Sequence, residues 1–207
     1  AAVSLSVVNK NDETCNGGKN GSVALNVSGG ISPFTFQWSN GGNTAMLTAL
    51  IAGNYSVSVT DSAGCSSTLN TTITQPAALS VSVTNQTNAT CGNNDGSVSI
   101  AATGGVTTYS YLWSNGSQTQ NLTSVPAGNY SVTVTDNNSC KANTAATVTQ
   151  PGSLTANISS VNVSCNGSAN GSVDLTSSGG TTPYSFKWST SATTEDLNGL
   201  PAGNYSV

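Results

Sequence analysis

The sequence predicts an all-β protein of tandem immunoglobulin-like antiparallel β-sandwich repeats, each of about 75 residues and stacked as a rod. Three observations predict it. The chain repeats itself at a fixed step, apolar residues alternate with polar ones, and turn residues punctuate the alternation. Gly-Asn-Tyr-Ser-Val recurs at Gly53, Gly128 and Gly203, and Trp38, Trp113 and Trp188 keep the same interval. Thr74-Gln75-Pro76 and Thr149-Gln150-Pro151 close the first two copies, which sets repeats at 1–76, 77–151 and 152–207. The third copy reaches Val207, the equivalent of Val132, so its last strand is expected to be missing and the chain reads as a window on a longer array.

The elements follow from the second copy. Leu79, Val81 and Val83 alternate, as do Val98, Ile100 and Ala102, then Tyr109, Tyr111 and Trp113. Leu122 stands alone, followed by Tyr130, Val132 and Val134 and finally by Ala146 and Val148. Period two is the signature of half-buried strands, and about six short ones fit. Asp95-Gly96, Gly104-Gly105, Asn115-Gly116 and Asp136-Asn137-Asn138 supply the turns between them. No 3.6-residue pattern is sustained, and Val, Thr, Ser, Asn and Gly are poor or indifferent helix formers.

Composition excludes several functions. Only 6% of residues are charged, against roughly 25% in an average globular chain. Ser, Thr and Asn make up 87 of the 207 residues, so the surface is one of hydroxyls and amides. With no His, four Lys, no Arg and eight acids, the chain lacks the groups that run acid–base catalysis, ligate transition metals or neutralise phosphates. Nucleic acid is not an expected partner, and neither an enzyme nor a cofactor is expected. Asp12, Glu13, Glu195 and Asp196 do not recur between copies and offer no paired carboxylates. The longest nearly apolar run, Ala45 to Ala52, is far short of the ~20 residues of a membrane helix, and Ala1-Ala2-Val3-Ser4 does not read as a signal peptide.

All twelve aromatics fall at four equivalent positions per copy: Phe34, Phe36, Trp38 and Tyr55; Tyr109, Tyr111, Trp113 and Tyr130; Tyr184, Phe186, Trp188 and Tyr205. Three rings at i, i+2 and i+4 would also suit a sugar-stacking platform. A unit this small needs them inside, since four buried aromatics with a few aliphatics contribute on the order of 10 kcal/mol. Trp38, Tyr55, Trp113, Tyr130, Trp188 and Tyr205 are therefore expected in the cores, each tyrosine resembling the corner tyrosine of such sandwiches.

The cysteines are periodic too. Cys15, Cys91 and Cys165 precede the second strand of their copies, whereas Cys65 and Cys140 follow the Tyr-x-Val strand. Regular pairing without Cys-x-x-Cys or His indicates disulfides and an oxidising compartment. A strand from Tyr130 to Asp136 covers ~20 Å, which would put Cys91 and Cys140 at opposite ends of one sandwich. Head-to-tail stacking would instead bring Cys15 towards Cys140. An inter-repeat Cys15–Cys140 bridge is the leading hypothesis, with Cys65, Cys91 and Cys165 pairing outside the window; the within-copy pairs Cys15–Cys65 and Cys91–Cys140 stay open. Pro76 and Pro151 stiffen the short linkers.

The order Cys15, Asn20-Gly21-Ser22-Val23, Gly29-Gly30, Pro33-Phe34-Thr35-Phe36-Gln37-Trp38-Ser39-Asn40-Gly41, Ala52-Gly53-Asn54-Tyr55-Ser56-Val57-Ser58-Val59-Thr60-Asp61, Gly64-Cys65, Gln75-Pro76 resembles the SprB-type repeat of Bacteroidota gliding-motility adhesins. Copy two departs from it at Val106-Thr107-Thr108, where the pattern has a Pro, and copy three has Thr190 in place of Asn-Gly. The resemblance implies type IX secretion, display at the outer membrane on the cell surface, and attachment to the substratum during gliding. A structural stalk or fibre segment is the expected role, with a repeated carbohydrate-binding module as the alternative. Neighbouring repeats of the same chain are the expected partners, then substratum polysaccharide or other surfaces, and lateral self-association of the rods. Asp61 and Asp136 would suit either an inter-domain calcium site or an Asx turn into the hairpin, and the turn is the commoner use. Ser62, in Asp61-Ser62-Ala63, matches an O-glycan acceptor pattern of that phylum and is the candidate glycosylation site.

Overall fold

The computed structural model describes residues 2–207. Among them are fifteen strands and no helix. In repeat 1, β1 (Ser4–Asn11), β2 (Gly21–Ser28) and β4 (Met46–Leu50) form one sheet in the order β1-β2-β4. The other sheet has the order β3-β5-β6, from β3 (Thr35–Trp38), β5 (Gly53–Thr60) and β6 (Ser66–Ile73). All these pairings are antiparallel. Repeat 2 follows suit, with β7 (Ser80–Thr87), β8 (Gly96–Thr103) and β10 (Leu122–Val125) in one sheet. Its second sheet holds β9 (Ser110–Trp113), β11 (Gly128–Thr135) and β12 (Lys141–Val148). In repeats 1 and 2 the chain changes sheet after the second, third and fourth strands, which is an immunoglobulin-like sandwich reduced to three strands plus three. Repeat 3 contributes β13 (Thr155–Val161), β14 (Gly171–Ser178) and β15 (Leu197–Leu200).

By compactness the chain groups into two units that do not coincide with the sequence repeats. One comprises Ala1–Gln86, Val98–Leu122 and Asn129–Ala146, the other Thr87–Ser97, Thr123–Gly128 and Thr147–Val207.

Alternation places the core. Along β5 Tyr55, Val57 and Val59 are buried while Ser56 is exposed, and along β2 Val23 and Leu25 face them. Val3, Trp38, Leu47, Leu50 and Ile73 complete this cluster. Repeat 2 buries Val98, Ile100, Trp113, Leu122, Tyr130, Val132, Val134 and Val148, each one repeat step beyond its counterpart. Each aliphatic of this kind stabilises its sandwich by roughly 1.5–3 kcal/mol. In repeat 3 the cluster is Val173, Leu175, Trp188 and Leu197.

One backbone feature recurs. Ala49 (φ 55°), Ser124 (φ 56°) and Gly199 (φ 66°) stand at equivalent positions and all adopt the left-handed conformation. A register shift between Gly21 and Val23 shows why: the strand bulges there, and a bulge residue in that conformation suits glycine best. Only the third copy has one. The turn after each tryptophan behaves similarly, with Gly41, Gly116 and Ser191 at positive φ and each N–H donating to the tryptophan carbonyl at 2.9 Å. Ser191 thus keeps the turn that Asn-Gly makes in the other copies.

Candidate functional site

The most specific cluster in the molecule joins repeat 1 to repeat 2, and its residues lie within the first compact unit. Cys15 and Cys140 are disulfide-bonded, with Cα atoms 5.7 Å apart across a sequence separation of 125. Of the two pairings left open by the sequence, the structure contains the inter-repeat one. Cys65, Cys91 and Cys165 are exposed thiols.

Each half of the joint is built before it is bridged. On the repeat 1 side, the Asn20 side chain clasps Thr14 through two bonds, Thr14 N–H to Oδ1 at 3.1 Å and Nδ2 to the Thr14 hydroxyl at 2.7 Å. Gln75 Oε1 accepts the Gly17 N–H at 2.8 Å, and Asn16 Nδ2 donates to the Pro76 carbonyl at 3.0 Å, so the loop is tied to the linker. On the repeat 2 side, Asp136 holds the hairpin. Its Oδ1 accepts the N–H groups of Asn138 and Cys140, both at 2.9 Å, and its Oδ2 accepts the Val106 N–H at 2.9 Å. Asn138 Nδ2 then reaches across to donate to the Thr14 carbonyl at 2.8 Å. The linker closes the joint, since Gly105 N–H donates to Ala77 O at 2.8 Å. A Cβ on Gly104 would lie 2.0 Å from the Ala78 carbonyl oxygen, so only glycine admits this approach.

Asp61 makes the same set of bonds in repeat 1, to Ala63, Cys65 and Ile31. Both aspartates are buried. Burial alone would push their carboxyls up, but the three N–H donors outweigh it and hold both below the ordinary aspartate value. The Asx-turn use is therefore what the geometry shows: the carboxylate oxygens face backbone N–H groups. No group of three or more His, Cys, Asp or Glu is placed to hold a metal among the described residues.

Three further acids tie the backbone. Asp12 accepts the Thr74 N–H at 2.8 Å and pairs with Lys10 at 3.0 Å, and these two contacts lower its carboxyl pKa. The Thr90 hydroxyl and N–H do the same for Asp95. Asp196 Oδ1 accepts the Leu175 N–H at 3.0 Å, as Asn121 does for Ile100. Glu13 is different. It is 4% exposed, its Oε2 accepts the Asn20 N–H at 3.3 Å, and its Oε1 is buried with no hydrogen-bond partner. The residue two before the cysteine is Ala89 and Val163 in the other copies, the sequence signal that this position is internal. Ser62 is exposed and its hydroxyl donates to the Ile31 carbonyl at 3.0 Å.

The indoles are held inside, whereas Tyr184 and Phe186 are half-buried and line an open groove of repeat 3. Trp38, Trp113 and Trp188 are each 2% exposed, and every indole N–H donates at 2.9 Å to the carbonyl six residues on: Thr44, Thr119 and Thr194. Tyr55 and Tyr130 are buried, and the Tyr55 hydroxyl donates to Ile51 O at 2.8 Å as a corner tyrosine. Tyr205 makes the same bond to Pro201 and is half-buried. Phe34 and Phe36 pack against the repeat 1 core and Phe186 against that of repeat 3.

Fold and joint together define a tandem array of immunoglobulin-like sandwiches. The SprB repeat family matches residues 7–43, 83–118 and 152–193, and the chain belongs to that family. SprB repeats are repeats of cell-surface proteins, so the chain is a structural repeat region of such a protein; no helix is long and apolar enough to cross a membrane among the described residues. Among curated proteins none matches the chain. Among solved structures it is similar to the three N-terminal domains of the bacteriophage RB49 highly immunogenic outer capsid protein, at 20% identity and a TM-score of 0.46, covering 86% of this chain and 69% of that one. It is also similar to titin domains I67–I69, at 11% identity and a TM-score of 0.43, covering 99% and 83%.

Proposed function

We propose that the chain is a stalk segment of a large secreted cell-surface adhesin, serving surface attachment in gliding motility, and that it carries force rather than chemistry. One observation supports this above the others: the Cys15–Cys140 bridge spans a sequence separation of 125, which would take β2 to β11 out of the path of a pull and leave β1 and β12 in it. Tension entering before Cys15 would leave after Cys140, so the strands between them need not unravel. The hydroxyl and amide skin fits a spacer with few charges to attract other molecules, and the three indoles, the largest rings, are buried away from any sugar.

Single-molecule stretching by the two ends tests it. Under oxidising conditions the residues between the bridge should stay hidden, and reduction should add at most about 450 Å of extension from those 125 residues. Equal extension with and without reductant would overturn the shunt. A glycan array separates the stalk from a carbohydrate-binding module: selective binding that is lost in Trp113→Ala, with repeat 1 still folded, would replace the first reading with the second.

A further inference from the structure

The hairpin that carries Cys140 has the same backbone frame as the one that carries Cys65. Asp136 N–H donates to Cys140 O at 3.0 Å, and Asp61 N–H to Cys65 O at 2.9 Å. The two cysteine N–H groups reach the aspartate Oδ1 at 2.9 and 2.8 Å. The residue two after each aspartate donates its own N–H to that oxygen, Asn138 at 2.9 Å and Ala63 at 3.0 Å. Its backbone setting is thus the same whether the side chain is an amide or a methyl group. Only the amide reaches further.

With its backbone pinned by Asp136, Asn138 donates from Nδ2 to the Thr14 carbonyl of repeat 1 at 2.8 Å. Thr14 precedes Cys15, and the Cys140 Sγ lies 3.5 Å from the same carbonyl oxygen. The Thr14 carbonyl and the Cys15 Cα share one peptide plane, so a bond that holds this oxygen against the hairpin also limits where Cys15 can stand. From the other side Asn20 holds Thr14, accepting its N–H at 3.1 Å and donating to its hydroxyl at 2.7 Å. Asn20, Thr14 and Asn138 form a relay that ends beside the two sulfurs and uses neither of them.

We infer that Asn138 is the positioning residue of this joint: it docks the hairpin of repeat 2 on the Cys15 loop before the sulfurs join, and so sets how readily the Cys15–Cys140 bond closes. The inference goes beyond the stalk reading and holds whatever the array is for. The linker between the repeats tethers the two thiols and gives them an effective concentration, and a hydrogen bond made beside them multiplies it. Closing the bond needs a disulfide oxidant. With oxidised glutathione, one protein thiolate displaces a glutathione thiol to give a mixed disulfide. The other protein thiolate then attacks the protein sulfur of that disulfide and releases the second, so two protein thiols are oxidised and one glutathione disulfide is reduced to two thiols. The bond to Thr14 acts on both steps' balance alike, because it favours the state in which Cys15 and Cys140 are side by side.

The test is the redox equilibrium of the 207-residue chain in glutathione buffers of known ratio, with Cys65→Ser, Cys91→Ser and Cys165→Ser in every sample so that only Cys15 and Cys140 react. Acid quenching and mass analysis give the bonded fraction and from it the effective concentration. Asn138→Ala should lower that concentration roughly two- to tenfold, the value of one hydrogen bond. Asn138→Asp, of the same size but without a donor, should fall at least as far, and Asn137→Ala, exposed on the same hairpin, should match the unsubstituted chain. Folding is read separately in Cys140→Ser, where adding Asn138→Ala should leave the thermal midpoint of repeat 2 in place, since the repeat 1 hairpin holds the same backbone bonds around Ala63. An effective concentration unchanged in Asn138→Ala, an equal fall in Asn137→Ala, or a lowered midpoint when no bond can form would each overturn the inference. The stretching experiment reads the closed bridge, so failure here leaves that result standing, and the reverse holds.

Discussion

Repeats 1 and 2 share their interiors and differ in the loops that meet neighbours. Trp38 and Trp113 are buried to the same extent and donate to equivalent carbonyls at the same distance. Val23 and Val98 are fully buried at matching positions of the two copies, and so are Val59 and Val134. The loops entering the second strand are another matter: Glu13 is a buried acid where repeat 2 has Ala89, and the Cys15 loop is bridged where the Cys91 loop is shorter and free. The comparison teaches that a buried face tolerates little variation, because any change of volume is felt by close-packed neighbours. A loop need only satisfy its own backbone, and it is there that the copies specialise.

The comparison breaks most visibly at the tryptophans. Trp38→Ala and Trp113→Ala should each cost about 3–5 kcal/mol in their own repeat, through the cavity left and the lost indole bond. Hydrogen exchange read repeat by repeat should show near-equal losses, and a markedly smaller loss in one would show that the interiors are not equivalent.

Acid comes next. Asp61 and Asp136 titrate below the ordinary aspartate value in the folded chain, so the stability they contribute is fully present above the ordinary carboxylate range and is lost as pH falls through the folded value. Thermal unfolding should therefore hold level from neutral pH to about 4 and then fall by several degrees. Asp61→Asn should lower the midpoint of repeat 1 at neutral pH and flatten its acid limb, with Asp136→Asn doing the same in repeat 2. An acid limb unchanged in both variants would remove the hairpin carboxylates as its source.

Glu13 sharpens the contrast between loops. Glu13→Val, the residue of the third copy, should stabilise repeat 1 by about 1–3 kcal/mol, the cost of a buried acceptor without a partner. Denaturant unfolding would show a higher midpoint, and a drop would mean that the carboxylate is better satisfied than the structure indicates. The smallest effect is expected at the bulge. Ala49→Gly and Ser124→Gly should each gain less than about 1 kcal/mol, since relief of the left-handed conformation is partly offset by glycine's extra freedom in the unfolded chain. Equal gains in the two repeats would extend their likeness to the bulge.

Much of this was legible in the residues. The alternation of Tyr55, Val57 and Val59 assigns a strand and its inner face without further information, because successive side chains of a strand point to opposite sides. The Asx role of Asp61 could be read from its place before Ser62-Ala63-Gly64, since it depends on bonds to residues two and four positions on. Glu13 is harder to read, because a charged residue in a polar stretch looks solvated, and only the fold, which pairs its N–H with the Thr74 carbonyl, buries it. The left-handed turn at Ala49 was also hidden, as alanine signals no such conformation and only Gly199 in the third copy hints at it.

What the sequence determined by itself is therefore periodic and local: the repeat step, the strands, their inner faces and the burial of the indoles. The tertiary structure alone decided which cysteines meet. A disulfide requires two Cα atoms within a few ångströms, and Cys15 and Cys140 satisfy this across 125 residues because the loop of one sandwich is docked on the hairpin of the next. Spacing along a chain carries no such distance; it arises only where two folded surfaces come into contact.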